Sequence, residues 1–124
     1  MKAVLFVDDH KALARLSCEI LQKQGYRTEY AFDAKEALAK FEQDAFDIVV
    51  SDYRMEGMSG MDLARRLRKL APWLPIVIVT GCAEVEPCPE VNAWVGKQEM
   101  FPKLFETIRQ LLHGSSQKKT NERA

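Results

Sequence analysis

Short apolar runs alternate with amphipathic stretches along most of the chain. Ala3-Val4-Leu5-Phe6-Val7 runs into Asp8-Asp9, and Phe46-Asp47-Ile48-Val49-Val50-Ser51 runs into Asp52. Ile76-Val77-Ile78-Val79 runs into Thr80, and Ala93-Trp94-Val95-Gly96 into Lys97. Arg27 to Ala31, with β-branched and aromatic residues in alternation, reads as a further short strand. Between the runs the period becomes helical. Leu13, Leu16, Ile20 and Leu21 form one predicted apolar stripe, stopped by Gly25. Asp33 with Glu36 three residues on is a capping box in form, opening a helix with inner face Ala34, Ala37, Leu38 and Phe41. Ser59 and Asp62 open a third helix through Leu63, Ala64, Leu67 and Leu70, and Pro72 and Pro75 end it. A last stripe runs through Phe101, Leu104, Phe105, Ile108, Leu111 and Leu112 up to Gly114. Strand–helix alternation of this kind predicts an α/β fold with a doubly wound parallel sheet.

One stretch breaks the rhythm. A crossover helix is due between Thr80 and Lys97, because parallel strands need a connection from one end of the sheet to the other. Pro87 and Pro89 stand in it, two residues apart, and forbid a regular helix across them. The fourth helix of the fold is therefore expected to be shortened or absent. Residues 114–124 are polar without periodicity and read as a C-terminal tail to a domain over residues 1–113.

Composition narrows the picture in a few respects. The 124 residues suit one domain. A 47% apolar and 29% charged content suits a globular chain. The formal net charge is zero, which gives no electrostatic reason to expect nucleic acid or an anionic membrane as partner. The absence of a spanning apolar run and of a leader at Met1-Lys2-Ala3-Val4 sets the expectation of a cytoplasmic protein. Cys18, Cys82 and Cys88 lack zinc-ligand spacing and read as incidental thiols. The basic run Arg65, Arg66, Arg68 and Lys69 reads as a solvated helix face.

If the apolar runs are parallel strands, their polar ends converge on one edge of one sheet, where open α/β folds place their chemistry. Asp8, Asp9 and Asp52 offer the oxygen ligands that a hard divalent cation such as Mg²⁺ takes. A carboxylate can also act as nucleophile toward a phosphoryl group. Lys97 supplies a mobile positive charge and Thr80 a hydroxyl donor for phosphoryl oxygens.

The motifs Val7-Asp8-Asp9-His10, Ser51-Asp52-Tyr53-Arg54-Met55-Glu56-Gly57-Met58-Ser59-Gly60, Val79-Thr80-Gly81 and Trp94-Val95-Gly96-Lys97 follow one another in this order. With them the chain resembles the CheY-like receiver domain of bacterial two-component response regulators, over about residues 2–113. The resemblance implies a flavodoxin-like fold with a five-stranded parallel sheet in the order 2-1-3-4-5. It implies Asp52 as phosphoacceptor, and Asp8, Asp9, Asp52 and the Arg54 backbone carbonyl as Mg²⁺ ligands. Thr80 and Lys97 would meet the phosphoryl oxygens, and Thr80 with Trp94 would form the switch. The implied partners are a sensor histidine kinase or phosphotransfer protein and a downstream protein, with no direct nucleic-acid or membrane binding.

The sequence departs from that family in places. Gln98 follows Lys97 where proline with a cis bond is usual, and a trans bond is expected here. Glu56 also stands where proline is usual. Arg54, two past the acceptor, is expected near the phosphoryl group, where it could slow attack by water. Two other readings remain. One is a degenerate receiver that docks partners without phosphorylation. The other is a small phosphatase using an aspartyl-phosphate intermediate, against which stand Arg54, where such enzymes carry a second aspartate, and the lack of a cap insertion. The chain is thus expected to be a signalling module and not an enzyme with its own substrate, either standing alone or as the receiver portion of a longer protein.

Overall fold

The strands that carry unbroken apolar runs lie where both faces of a sheet are covered. In the computed structural model, which describes residues 1–81 and 88–114, every residue of β1 (Ala3–Val7), β3 (Ile48–Asp52) and β4 (Ile76–Thr80) is buried. A central strand of a parallel sheet has to be apolar throughout for this reason. β2 (Arg27–Ala31) and β5 (Ala93–Gly96) are the edges and are only partly buried. All neighbouring strands pair in parallel, in the order β2-β1-β3-β4-β5. The expected fold and strand order are both present.

The helices cover the two faces. α1 (Lys11–Lys23) and α4 (Met100–Arg109) pack over one apolar core that includes Val4, Phe6, Val50, Val77 and Leu104. α2 (Ala34–Gln43) and α3 (Gly60–Leu70) pack over the other, with Leu5, Val49, Leu63, Leu67 and Ile78. Capping follows the sequence closely. The Glu36 N–H donates to Asp33 Oδ1 (2.7 Å) and the Asp62 N–H to Ser59 Oγ (3.1 Å). The Glu36 carboxylate reaches back as a capping box should, but accepts from the N–H of Phe32 (2.7 Å), one residue before the cap.

Two expectations are corrected. The buried face of α1 is Ala14, Ser17, Cys18 and Leu21, while Leu16 is 47% exposed and Ile20 only half-buried. The observed stripe is rotated about the helix axis from the expected one, toward the smaller side chains that let α1 approach the sheet. The basic run on α3 is not uniformly solvated either. Arg68 turns back under the end of its own helix and joins two loops. Its Nη1 donates to the carbonyls of Leu74 (2.6 Å) and Pro72 (2.9 Å). Its Nη2 donates to the Glu90 carbonyl (2.7 Å) and to Asn92 Oδ1 (2.8 Å). Asn92 Oδ1 also accepts from the Ile76 N–H (2.8 Å), so the entries to β4 and β5 share one polar knot.

The expectation of a lost or shortened crossover helix falls mainly on residues 82–87, which lie outside the described residues, as does Cys82. The described part of the connection, Gly81 and residues 88–92, holds no helix. There the Val91 N–H closes a turn on the Cys88 carbonyl (3.0 Å) and the Asn92 N–H bonds the Ile76 carbonyl (2.8 Å). Arg68 therefore anchors the described end of that connection. Arg68→Ala is expected to lower stability by about 2 kcal/mol, the net worth of a few hydrogen bonds to a charged donor. Arg68→Lys is expected to recover little of it, since an ammonium lacks the planar fork that serves both loops. Urea denaturation midpoints of the three proteins check this. Residues 115–124 of the tail are also outside the described residues.

Candidate functional site

The register of the sheet brings the polar strand ends together. Val7 is level with Ser51, Asp52 with Val79, and Thr80 with Gly96. Asp8 and Asp9 therefore leave β1 beside the end of β3, while Thr80 and Lys97 leave β4 and β5 on the other side of Asp52. This is the edge at which a doubly wound sheet opens a crevice.

Oxygen atoms of Asp8, Asp9 and Asp52 lie within 4.8 Å of one another. Asp8 and Asp52 are buried and Asp9 is exposed, so the cluster is reached from the Asp9 side. Lys97 Nζ lies 3.2 Å from each oxygen of the Asp52 carboxylate. The Lys97 side chain is 42% exposed and that of Asp52 only 6%, so a mobile cation from solvent meets a nearly buried anion. Lys97 starts a 3₁₀ turn, Lys97–Glu99, that leads into α4, and the Lys97–Gln98 bond is trans as expected. Thr80 is buried at the end of β4. Arg54 is exposed, two residues past Asp52. Trp94 is half-buried outside this polar cluster, its ring edge-on to Tyr53 with centroids 6.2 Å apart.

Backbone amides orient the two carboxylates that follow β1, the buried Asp8 and the exposed Asp9. Asp8 takes the His10 N–H on Oδ1 (2.9 Å), and His10 in turn caps α1 through Nδ1, which accepts from the Leu13 N–H (3.2 Å). Asp9 Oδ2 accepts from the Glu56 N–H (3.2 Å). Three clustered carboxylates with hard oxygen donors fit a divalent cation of the Mg²⁺ class.

A sequence profile for the response regulator receiver domain matches residues 4–113. The chain belongs to that family. RcsC, a sensor histidine kinase of Salmonella typhimurium, is 41% identical over 83 residues, covering 67% of this chain but 9% of RcsC. The receiver protein CpdR of Brucella abortus is 30% identical over 93 residues, covering 75% of this chain and 78% of CpdR. The response regulator TrrA of Thermotoga maritima, solved with Mg²⁺ and beryllofluoride, superposes with a TM-score of 0.83. It is 32% identical over 90% of this chain and 100% of TrrA. TrrA has also been solved in complex with the histidine kinase ThkA, at a TM-score of 0.81. The chain thus spans a small part of some relatives and most of others.

Two contributors to this receiver site were not legible beforehand. The Glu56 backbone amide is one, for the signal lies in what Glu56 is not: a proline there would have no N–H to give Asp9. Gly60 is the other. It opens α3 directly against the Asp52 backbone, and its N–H donates to the Tyr53 carbonyl (2.9 Å).

Burial pushes the Asp8 carboxyl above its ordinary pKa of 3.8, the charges of Asp52 and Asp9 push it the same way, and the His10 N–H and Lys97 oppose them. Only between its unfolded and its raised native pKa does the folded protein hold a proton on Asp8 that the unfolded chain has released. Stability contributed by that proton is present at low pH and falls as pH rises from about 3.8 through the native pKa. Asp8→Asn is expected to raise the thermal midpoint of the metal-free protein at pH 7 and to leave it nearly unchanged at pH 4. Melting curves across that range check the sign.

Proposed function

We propose that this receiver accepts a phosphoryl group on Asp52 from a histidine kinase or a phosphotransfer protein. The observation that carries the reading is the Asp52 carboxylate itself. It is nearly buried, paired through both oxygens with Lys97, and flanked by two further carboxylates. A buried anion is costly unless matched by charge, and this surplus of anions over cations calls for a further positive ligand. Asp8, Asp9, Asp52 and the Arg54 carbonyl would hold Mg²⁺, which when bound supplies charge neutralisation at the phosphoryl oxygens.

In the transfer, one Asp52 oxygen forms a bond to phosphorus as the phosphorus–nitrogen bond to the donor histidine breaks, and the imidazole leaves with that electron pair. Lys97 shifts from the free carboxylate to a phosphoryl oxygen, and the Thr80 hydroxyl donates to another. Movement of Thr80 relieves or crowds the ring of Trp94, which repacks against Tyr53 and changes the surface that a downstream protein meets. The TrrA complexes support the cation, the phosphoryl-like ligand and the kinase partner by likeness. The reading places the protein in the cytoplasm, where such kinases present their phosphohistidine. Among the described residues no helix is long and apolar enough to cross a membrane.

Trp73 is 65% exposed and Trp94 is the tryptophan beside the site, so a Trp73→Phe background isolates the signal. Adding Mg²⁺ and beryllofluoride to that protein is expected to change Trp94 emission saturably. The same additions to Trp73→Phe/Asp52→Asn are expected to change nothing. Equal responses in both proteins, or none in either, would overturn the proposed switch.

A further inference from the structure

The large apolar side chains that the described residues leave exposed include Leu70 at 53% and Trp73 at 65%, three positions apart. They stand at the C-terminal end of α3 and in the turn after it, at the opposite edge of the sheet from Asp52. Leu70 also lines a groove between α2 and α3, together with Leu38, Glu42, Arg66 and Lys69. Isolated exposed apolar residues are ordinary, but Leu70 lines a concave, partly apolar groove, and that combination points to an interaction surface.

The charge around the groove is not that of the chain as a whole. The whole chain is neutral, yet α3 carries Arg65, Arg66, Arg68 and Lys69 against the single carboxylate of Asp62. Two of these cations are already engaged: Arg65 pairs with Asp62 (3.2 Å), and Arg68 is bonded to the loops beneath the helix. Arg66 and Lys69 have no carboxylate within ion-pair distance among the described residues, and they are the two that line the groove. The α2 side offers them only Glu42.

We propose that the α2–α3 groove, lined at one side by Leu70 and followed in the chain by the exposed Trp73, docks an acidic amphipathic helix of a partner protein. Leucine-like anchors at helical spacing would enter between Leu38 and Leu70, and Asp or Glu on the flanks would meet Arg66 and Lys69. Trp73 would supply the large, rigid contact that such interfaces concentrate their affinity on. A nucleic acid offers no apolar anchors for the leucines, and two free cations are a thin footprint for a phosphate backbone. This surface does not depend on phosphorylation at Asp52, and its test leaves that site untouched.

The full chain is titrated into a fluorescently labelled synthetic helix-forming peptide with leucines at i, i+3 and i+7 flanked by glutamates. A second peptide has lysines in place of the glutamates. The acidic peptide is expected to bind, and the basic one to bind about tenfold more weakly or not at all. Leu70→Asp, and separately Arg66→Glu with Lys69→Glu, are each expected to weaken the acidic peptide about tenfold. These positions are on the surface, so the variants keep the parent's melting midpoint. Failure of the acidic peptide to bind would overturn the proposal, as would equal binding of both peptides or unchanged binding by the variants. Binding to phosphatidylglycerol vesicles instead, or self-association that Leu70→Asp abolishes, would overturn it too, by giving the groove another occupant.

Discussion

Gly60→Ala is expected to lower the melting midpoint by roughly 10 °C or more and to disturb the proposed phosphoacceptor, Asp52, along with the fold. Elsewhere in a helix this substitution would help, since alanine is favoured over glycine by about 1 kcal/mol. At Gly60 the first atom of the new side chain would fall well inside contact distance of the Asp52 carbonyl oxygen, and 3.1 Å from its carbon. It would also meet Ile78 Cδ1 at 3.2 Å. The first two are backbone atoms of a fully buried strand, so nothing flexible can give way. Overpacking of this kind costs about 3 kcal/mol, which outweighs the gain in helix propensity. The displaced element would be α3 or the end of β3, and Asp52 sits on the latter. A melting midpoint equal to or above the parent's would show that α3 does not approach β3 this closely.

Asp52→Asn is expected to act in the opposite sense on stability and to remove the chemistry. Asp52 and Asp8 are both buried and repel one another, and the charge of Asp52 is among the causes that raise the Asp8 pKa. An amide in place of the carboxylate removes that repulsion and leaves a Lys97 side chain that already reaches solvent. The folded protein should therefore be as stable as the parent or more so at neutral pH. An amide is not a nucleophile toward phosphorus, so phosphoryl acceptance should fall more than about a hundredfold. That pairing, retained stability with lost acceptance, distinguishes a residue held for its chemistry from one held for the fold. Loss of both together would mean that Asp52 is chiefly structural.

The fold and much of the site could be read from the sequence for the same reason. A strand covered on both faces must be apolar from end to end, so its last polar residue announces the edge of the sheet. That logic located Asp8, Asp9, Asp52, Thr80 and Lys97 on one edge before any contact was known. Other features were hidden because they depend on what packs against what. On α1 the helical period admits two apolar stripes, and only the approach of the sheet selects Ala14, Ser17, Cys18 and Leu21 over Leu16. Arg68 looks like its neighbours in a basic run, and its bonds to Leu74, Glu90 and Asn92 come from loops distant in sequence. Gly60 reads as a turn glycine, whereas the demand on it comes from the Asp52 carbonyl across the site. The Glu56 amide holds Asp9 through backbone chemistry, which side-chain patterns do not encode.

The central claim, that Asp52 accepts a phosphoryl group, is tested most directly by intact mass with peptide mapping after incubation with Mg²⁺ and acetyl phosphate. The account predicts a gain of one phosphoryl group per chain, mapped to the peptide holding Asp52, dependent on Mg²⁺ and absent from Asp52→Asn. A parent protein that gains no mass, a gain that survives Asp52→Asn, or sustained turnover of phosphate esters without an adduct on Asp52 would contradict it.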